Sequence, residues 1–255
     1  MSNLSAGTFG QLTLWGGKSP IVPELMGYFL EEQWPKGTHF RWCVSEQMVD
    51  REFLLYLVPT ATQLMTMGHT VEMWRAPGAS TYENTEPDKH RHVAMLYRDG
   101  FRRGALDDYC LSIEDDNLPP PGALAQLAQH TRPDVAQIGG VYRIRGAPEY
   151  INVSTSLANP WTPPRAMEIP CGVFNTPMMG AGYTLYLGSA LRRMPPVQCK
   201  VTEHGYGHTH VAGWDDWVGR HFAAMGYRSV SDGSLWIGHH TPEVMAYLKH
   251  NHLTK

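Results

Sequence analysis

Two rhythms of apolar positions run through this 255-residue chain. Short apolar runs bounded by turn residues, at Gln11–Trp15, His39–Val44, Val71–Trp74, Tyr109–Ile113 and Val135–Ile144, predict buried strands. Between them the spacing lengthens to the helical period. Val22, Leu25, Met26, Phe29 and Leu30 predict a helix within Ile21–Trp34. Phe53, Leu54, Leu57, Leu64 and Met65 predict another over Asp50–Met67, interrupted at Pro59 and stopped by Gly68. Val93, Leu96 and Tyr97 turn the third, Lys89–Arg102, toward the core, and Leu124 and Leu127 mark a short fourth over Gly122–His130. Strand and helix alternating in this way predict an α/β fold: a mostly parallel, doubly wound central sheet flanked by helices.

The pattern changes after residue 146. Ala147–Phe174 carries five prolines and predicts a loop-rich connection with short strands. Met178–Leu187 sets Gly180 and Gly182 beside a strand, where a bulge or the close approach of a ligand to the backbone is expected. Gln198–Gly213, rich in glycine and histidine, predicts a mobile loop. Trp214–Met225 predicts a helix opening on Asp215 and Asp216, charges suited to a first turn. Tyr227–Val230 and Ser234–Ile237 predict two closing strands.

The candidate chemistry sits where the fourth strand ends. Glu114, Asp115 and Asp116 follow its apolar run directly, and alternation along a strand places Glu114 and Asp116 on one side and Asp115 on the other. Two hard oxygen ligands on one side suit Mg²⁺ or Mn²⁺ held against substrate phosphates, and a solvated acidic turn is the plain alternative. In doubly wound sheets ligands bind beyond the carboxyl ends of the strands, where these carboxylates lie.

Composition narrows the classes. A hydrophobic content of 42%, a charged content of 18% and a net charge of -3 describe a globular protein with no general attraction for nucleic acid or anionic membranes. The N-terminal stretch lacks a basic start ahead of an apolar core, and no run reaches membrane-spanning length, so a cytoplasmic protein without a membrane partner is expected. Cys43, Cys110, Cys171 and Cys199 show no paired spacing, and the first two fall inside apolar runs as core thiols. Gly16-Gly17-Lys18-Ser19 invites a phosphate-loop reading. That loop needs a glycine where Leu12 stands and a helix where Pro20 stands, so the motif is rejected.

The order of IEDDNLPP, MGAGYTLYL, WDDWVGRHFAAMGYR and a following GHH resembles that of nucleotide-sugar glycosyltransferases of the GT-A type, family 2-like. The likeness runs from the first strand to about Pro242. It implies one GT-A catalytic domain over 1–255, with a nucleotide-binding half at 1–146, a loop-rich acceptor-binding half at 147–242 and a C-terminal tail or helix at 243–255. The acidic strand end then corresponds to the family's DxD motif, here an EDD variant with Asp116 and Glu114 as metal ligands, completed by His240 or else His239. Asp216, or Asp215 beside it, corresponds to the carboxylate that takes the acceptor's proton. By the same resemblance Trp15, Gly16, Lys18 and Ser45 face the nucleotide, Asp115 the donor sugar or ribose, and Gly180 and Gly182 the donor; Arg91, on the basic helix that leads into the acidic strand, is a phosphate-facing candidate, with a solvated helix face as its plain alternative.

The implied reaction moves one hexosyl or pentosyl group from a nucleotide sugar, a UDP-sugar first among them, to an acceptor hydroxyl with Mn²⁺ or Mg²⁺. Small chains of this kind also resemble enzymes carried by bacteriophages, acting in the host cytoplasm on proteins or modified DNA bases. For DNA, Arg98, Arg102, Arg103, Arg143, Arg145, Arg192 and Arg193 would have to line one groove. The mildly acidic chain favours a protein or small-molecule acceptor. Other readings stay open on the residues: a nucleotidyltransferase using the same metal site, a noncatalytic nucleotide-sugar binding module, and a zinc site among Cys199, His204, His208 and His210.

Overall fold

The apolar runs of the first half all become neighbours in one sheet. The computed structural model describes residues 4, 7–15, 21–44, 51–75, 86–158, 163–198, 200–204, 208–212 and 214–253, with residues 51–52, 86–92, 200–204 and 208–212 described by their backbone. In chain order the first strands and helices are β1 (Phe9–Trp15), α1 (Val22–Glu31), β2 (His39–Val44), α2 (Arg51–Thr66), β3 (Thr70–Arg75), α3 (Glu86–Gly104) and β4 (Tyr109–Glu114). Next come β5 (Asn117–Leu118), α4 (Ala123–Ala128), β6 (Val135–Val141), β7 (Arg143–Ile144), β8 (Ala147–Ile151) and β9 (Val153–Ser154). The remainder is β10 (Val173–Asn175), β11 (Met178–Met179), β12 (Tyr183–Leu187), α5 (Gly188–Arg193), β13 (Lys200–His204), β14 (His208–Ala212), α6 (Trp214–Ala224), β15 (Arg228–Trp236), β16 (Gly238–His239) and α7 (Pro242–His250).

Eight strands form the central sheet in the order β10-β15-β6-β12-β4-β1-β2-β3. β3, β2, β1 and β4 pair in parallel, as do β15 and β6. β12 runs antiparallel to both its neighbours, β4 and β6, and β10 runs antiparallel to β15. The expected mostly parallel, helix-flanked sheet is therefore present.

Alternation divides the layers. Leu111 and Ile113 of β4 join the core under α1, α2 and α4, with Phe29, Leu57 and Leu127. Cys110, one position before Leu111 and on the other face, packs with Tyr97 and Phe101 of α3, Leu191 of α5 and Phe222 of α6. Burial pushes the Cys43 and Cys110 thiols up to about 12, which fits core thiols rather than nucleophiles.

Several expectations change locally. Pro59 does not interrupt α2, which is one continuous helix. Leu57, Ala61 and Leu64 stay buried along it, so packing of this stripe overrides the missing backbone donor. The two closing strands are a single one, β15, with a register irregularity between Asp232 and Trp236. The loop expected over Gln198–Gly213 contains an antiparallel pair, β13 with β14. Its β-branched Val201, Thr202, Thr209 and Val211 could have signalled this, but the glycines and histidines dominated the composition.

Candidate functional site

β4 delivers its carboxylates to the carboxyl edge of the sheet. Glu114 closes the strand opposite Leu14 of β1, and its N–H donates to the carbonyl of Gly182 at 3.1 Å, which ties the strand end to the start of β12. Asp115 and Asp116 lie past the strand, in the turn before β5. Strand alternation therefore does not position Asp116. A second pairing does: β16 returns antiparallel to β5 with His239 opposite Asn117, and the N–H of His240 donates to the carbonyl of Asp116 at 2.8 Å.

That return brings the imidazole of His239 to Asp116, Nε2 lying 3.3 Å from Oδ2. The other ring nitrogen, Nδ1, lies 2.6 Å from the carbonyl oxygen of Arg143. A carbonyl only accepts, so Nδ1 carries the proton, and in the neutral ring Nε2 then presents a lone pair toward a carboxylate oxygen. Two acceptors face each other at this distance only with a proton or a cation between them. In the absence of a metal the proton takes that place. Burial works against the imidazolium, but the hydrogen bond and charge of Asp116 outweigh it and hold His239 above its ordinary value. Burial likewise opposes ionised Asp116, and His239 with Arg145 outweighs it, holding the carboxyl below its usual range.

Asp116 has further partners. The Asn117 amide donates to its Oδ1 at 2.8 Å, and the Arg145 guanidinium donates to Oδ2 at 3.1 Å. His239 is the histidine that faces it. His240 is held below its ordinary value, chiefly by burial, and its ring lies over Gly238 instead.

Glu114 is fixed from the other side. The Tyr97 hydroxyl donates to its Oε1 at 2.7 Å, and the Tyr97 ring stacks on Trp214 with centroids 3.7 Å apart and planes at 16°. Burial, then the charge of Asp116, raises Glu114 from its ordinary 4.5 to about 7. Trp214 opens α6, so the same stack links the first turn of α6, which carries Asp215, to the side chain that holds Glu114. Burial pushes the Tyr142 phenol well above its usual value, and the charges of Glu114, Asp116 and Asp215 push it further. Asp216 is buried, and both its carboxylate oxygens accept from the one Arg220 Nε–H, at 2.9 Å each, while Arg220 also reaches the carbonyl of Leu157. The i, i+4 spacing within α6 brings Asp216 and Arg220 together as an ion pair.

The glycines before β12 answer to Tyr142. A Cβ at Gly182 would lie 2.7 Å from the Tyr142 ring and 2.7 Å from the Asn117 amide, and a Cβ at Gly180 would strike the Tyr142 hydroxyl. That hydroxyl accepts the N–H of Gly182 at 3.1 Å, and the ring meets His239 edge-on at 5.2 Å. The space beside both glycines thus belongs to Tyr142, a residue the sequence reading passed over, and not to a donor. Trp15 is corrected too. Its indole is 1% exposed among Phe29, Trp42 and Phe53, so it is core and does not stack on a nucleotide. Gly16, Lys18 and Ser45 lie outside the described residues, as do the side chains of Arg91, His204, His208 and His210, and Cys199.

The seven arginines do not line one groove. Arg103 and Arg192 are engaged near Asp107, ahead of β4, with Glu72 and the carbonyl of Ala105, whereas Arg143 and Arg145 follow the far end of β6.

A divalent cation fits this set of donors. An imidazole lone pair and a carboxylate oxygen 3.3 Å apart have the separation of adjacent ligands on one ion, and the Nδ1–carbonyl bond is the orienting contact that ligating histidines use. Among the described residues, no group of three or more histidine, cysteine or acidic side chains converges to hold a metal by itself. Remaining positions are left for substrate oxygens and water, the usual arrangement for Mg²⁺ and Mn²⁺ beside phosphates.

No family model matches the sequence, and no curated protein is similar to it. Solved structures share its fold. The mannosyltransferase PcManGT of Pyrobaculum calidifontis, in complex with GDP-Man and Mn²⁺, matches with a TM-score of 0.55 at 13% identity, over 93% of this chain and 58% of its own. GalNAc-T7 with UDP, GalNAc and Mn²⁺ matches with a TM-score of 0.57 at 9% identity, over 95% and 48%. Residues 1–349 of TarS of S. aureus, in complex with UDP-GlcNAc, match with a TM-score of 0.56 at 9% identity, over 90% and 57%. The chain spans about half to three fifths of these proteins, and its fold is of the GT-A type.

Proposed function

We propose that this chain, folded as those sugar-nucleotide transferases are, moves a single sugar from a nucleotide-sugar donor to an acceptor hydroxyl with the help of Mn²⁺ or Mg²⁺. The pairing of Asp116 with His239 at the carboxyl edge of a GT-A sheet carries the reading. These two residues would hold the cation, with Glu114 nearby. When bound, the cation supplies positive charge to the donor's diphosphate and eases its departure.

The chain's own groups do the rest. Asp215 is the catalytic base in this reading, because the Tyr97–Trp214 stack ties the first turn of α6 to the side chain that holds Glu114, while Asp216 is held by Arg220. Its carboxylate takes the proton of the acceptor hydroxyl as that oxygen attacks the anomeric carbon. Tyr97 orients Glu114, and Tyr142 packs under the glycine backbone and against His239, so the polar groups are held before substrate arrives. Among the described residues no helix is long and apolar enough to cross a membrane.

The test is hydrolysis and transfer with a panel of UDP-, GDP- and TDP-sugars, with and without Mn²⁺. The expected result is cation-dependent release of nucleoside diphosphate from at least one donor. No turnover and no thermal shift with any of them would sink the reading.

A further inference from the structure

Arg145 occupies an unusual place for an exposed surface residue. It forms, with Gly146, the two-residue turn between β7 and β8, where Ile144 pairs with Ala147 and Gly146 has φ of 77°, the sign a type II turn requires at its second corner. At this tip its side chain is 63% exposed, yet its guanidinium reaches 3.1 Å to Oδ2 of Asp116. This is the same oxygen that lies 3.3 Å from Nε2 of His239.

A guanidinium cannot be deprotonated in a protein, so it is a permanent positive charge at the one oxygen best placed to bind a metal. A second cation arriving there is repelled by it and competes with it for the same lone pairs. The exposed, hairpin-borne side chain is also the partner best able to leave. Asn117 is fully buried and the His239 side chain is 9% exposed with its other nitrogen engaged, so neither can move as freely. Once displaced, the guanidinium remains tethered at the rim of the site, within reach of whatever anion the metal binds. Planar guanidinium donors match phosphate oxygens in pairs.

We propose that Arg145 is a stand-in cation for Asp116 that yields this carboxylate to the divalent metal and then binds the donor's diphosphate. The first half concerns the metal alone. The second rests on the proposed transfer from a nucleotide sugar.

The two halves are read separately. Mn²⁺ binding to the purified chain, with no nucleotide present, is followed by the loss of the free Mn²⁺ resonance signal for the wild type, Arg145→Gln and Arg145→Lys. Removing the charge is expected to tighten Mn²⁺ by about two- to fivefold, the range of an exposed ion pair, while the lysine variant stays near the wild type. UDP and GDP are then titrated at saturating Mn²⁺. Arg145→Gln is expected to weaken the nucleotide that binds by about tenfold, with partial rescue by lysine. Unchanged or weaker Mn²⁺ binding in Arg145→Gln overturns the competition, and unchanged diphosphate binding overturns the transfer of the guanidinium to the donor. Failure of the donor reading looks different: no nucleotide binds to any of the three proteins, yet Mn²⁺ still binds more tightly to Arg145→Gln, which upholds the competition. Lack of Mn²⁺ binding by all three overturns it.

Discussion

The Tyr97 hydroxyl donates to Oε1 of Glu114 at 2.7 Å while the Tyr97 ring lies flat on Trp214, so one side chain joins the end of β4 to the start of α6. Removing the hydroxyl alone separates its two jobs. Tyr97→Phe keeps the stack and loses one hydrogen bond to a carboxylate, so stability should fall by about 1–2 kcal/mol. Tyr97→Ala should lose about 3–5 kcal/mol. Urea unfolding of both variants distinguishes these costs. In the proposed reaction Tyr97→Phe should also slow turnover of folded protein, because Glu114 is no longer oriented.

Asp116 and His239 should be needed together for metal. Asp116→Asn and His239→Ala are each expected to weaken Mn²⁺ binding by at least about 10–100-fold, the cost of losing even an outer-shell partner, and His240→Ala by far less. Calorimetric titration of Mn²⁺ checks this, and a larger loss from His240→Ala than from His239→Ala would reverse the assignment of the ligand.

The two aspartates of α6 should fail differently. Asp215→Asn should fold normally and lose turnover by about 10²–10⁴-fold, as for removal of a general base. Asp216→Asn breaks the buried carboxylate's pair with Arg220, so it should cost about 1–3 kcal/mol of stability and leave the activity per folded molecule largely intact. Thermal melts alongside donor turnover separate the outcomes.

The contribution of Glu114 to the stability of the metal-free chain should fall as pH rises from about 4.5 to 7. Glu114 has its folded value raised from 4.5 to about 7. At this group the folded state therefore binds more protons than the unfolded one across that window, and the contribution is largest at its acid side. The part due to Glu114 amounts to about 2–3 kcal/mol. His239, also raised, pulls the same way, since its protonated form is favoured in the fold and that contribution is lost as pH rises through its folded value, whereas His69 and His240, lowered by burial, pull the other way. Glu114→Gln removes only the first component, so its melting temperature should decline less between pH 5 and 8 than the wild type's. Parallel pH profiles would rule out a raised Glu114.

Gly180→Ala should be destabilising by about 1–3 kcal/mol because the new methyl meets the Tyr142 hydroxyl. Combined with Tyr142→Phe, which deletes that oxygen, part of the loss should return. A double-mutant cycle by chemical denaturation measures the coupling.

The strands of the first half were legible because each is a short apolar run between turn residues, and β4 and its carboxylates could be placed at the sheet edge on pattern alone. Residue roles within the site were less so. Asp116 is positioned by a two-residue pairing of β5 with β16, too short to leave a periodic signal. The choice between His239 and His240 depends on which ring finds the Arg143 carbonyl, a contact across 96 residues. Trp15 reads as a ring near a nucleotide only until Phe29, Trp42 and Phe53 close around it. Asp215 and Asp216 differ through Arg220, four positions along the helix from Asp216, and that spacing was visible in the sequence as an ion-pair signal.

β12 also governs when the site can assemble. It lies between β4 and β6 and pairs with both, so until Tyr183–Leu187 has been synthesised the strand bearing Glu114 has a bare edge, and the two parallel portions of the sheet have nothing to join them. Such long-range closure is slow compared with local helix formation. During synthesis some seventy residues, from Glu114 to Tyr183, must follow before that edge of β4 can pair, and the acidic turn after it reaches its final pairing only once His239 has emerged.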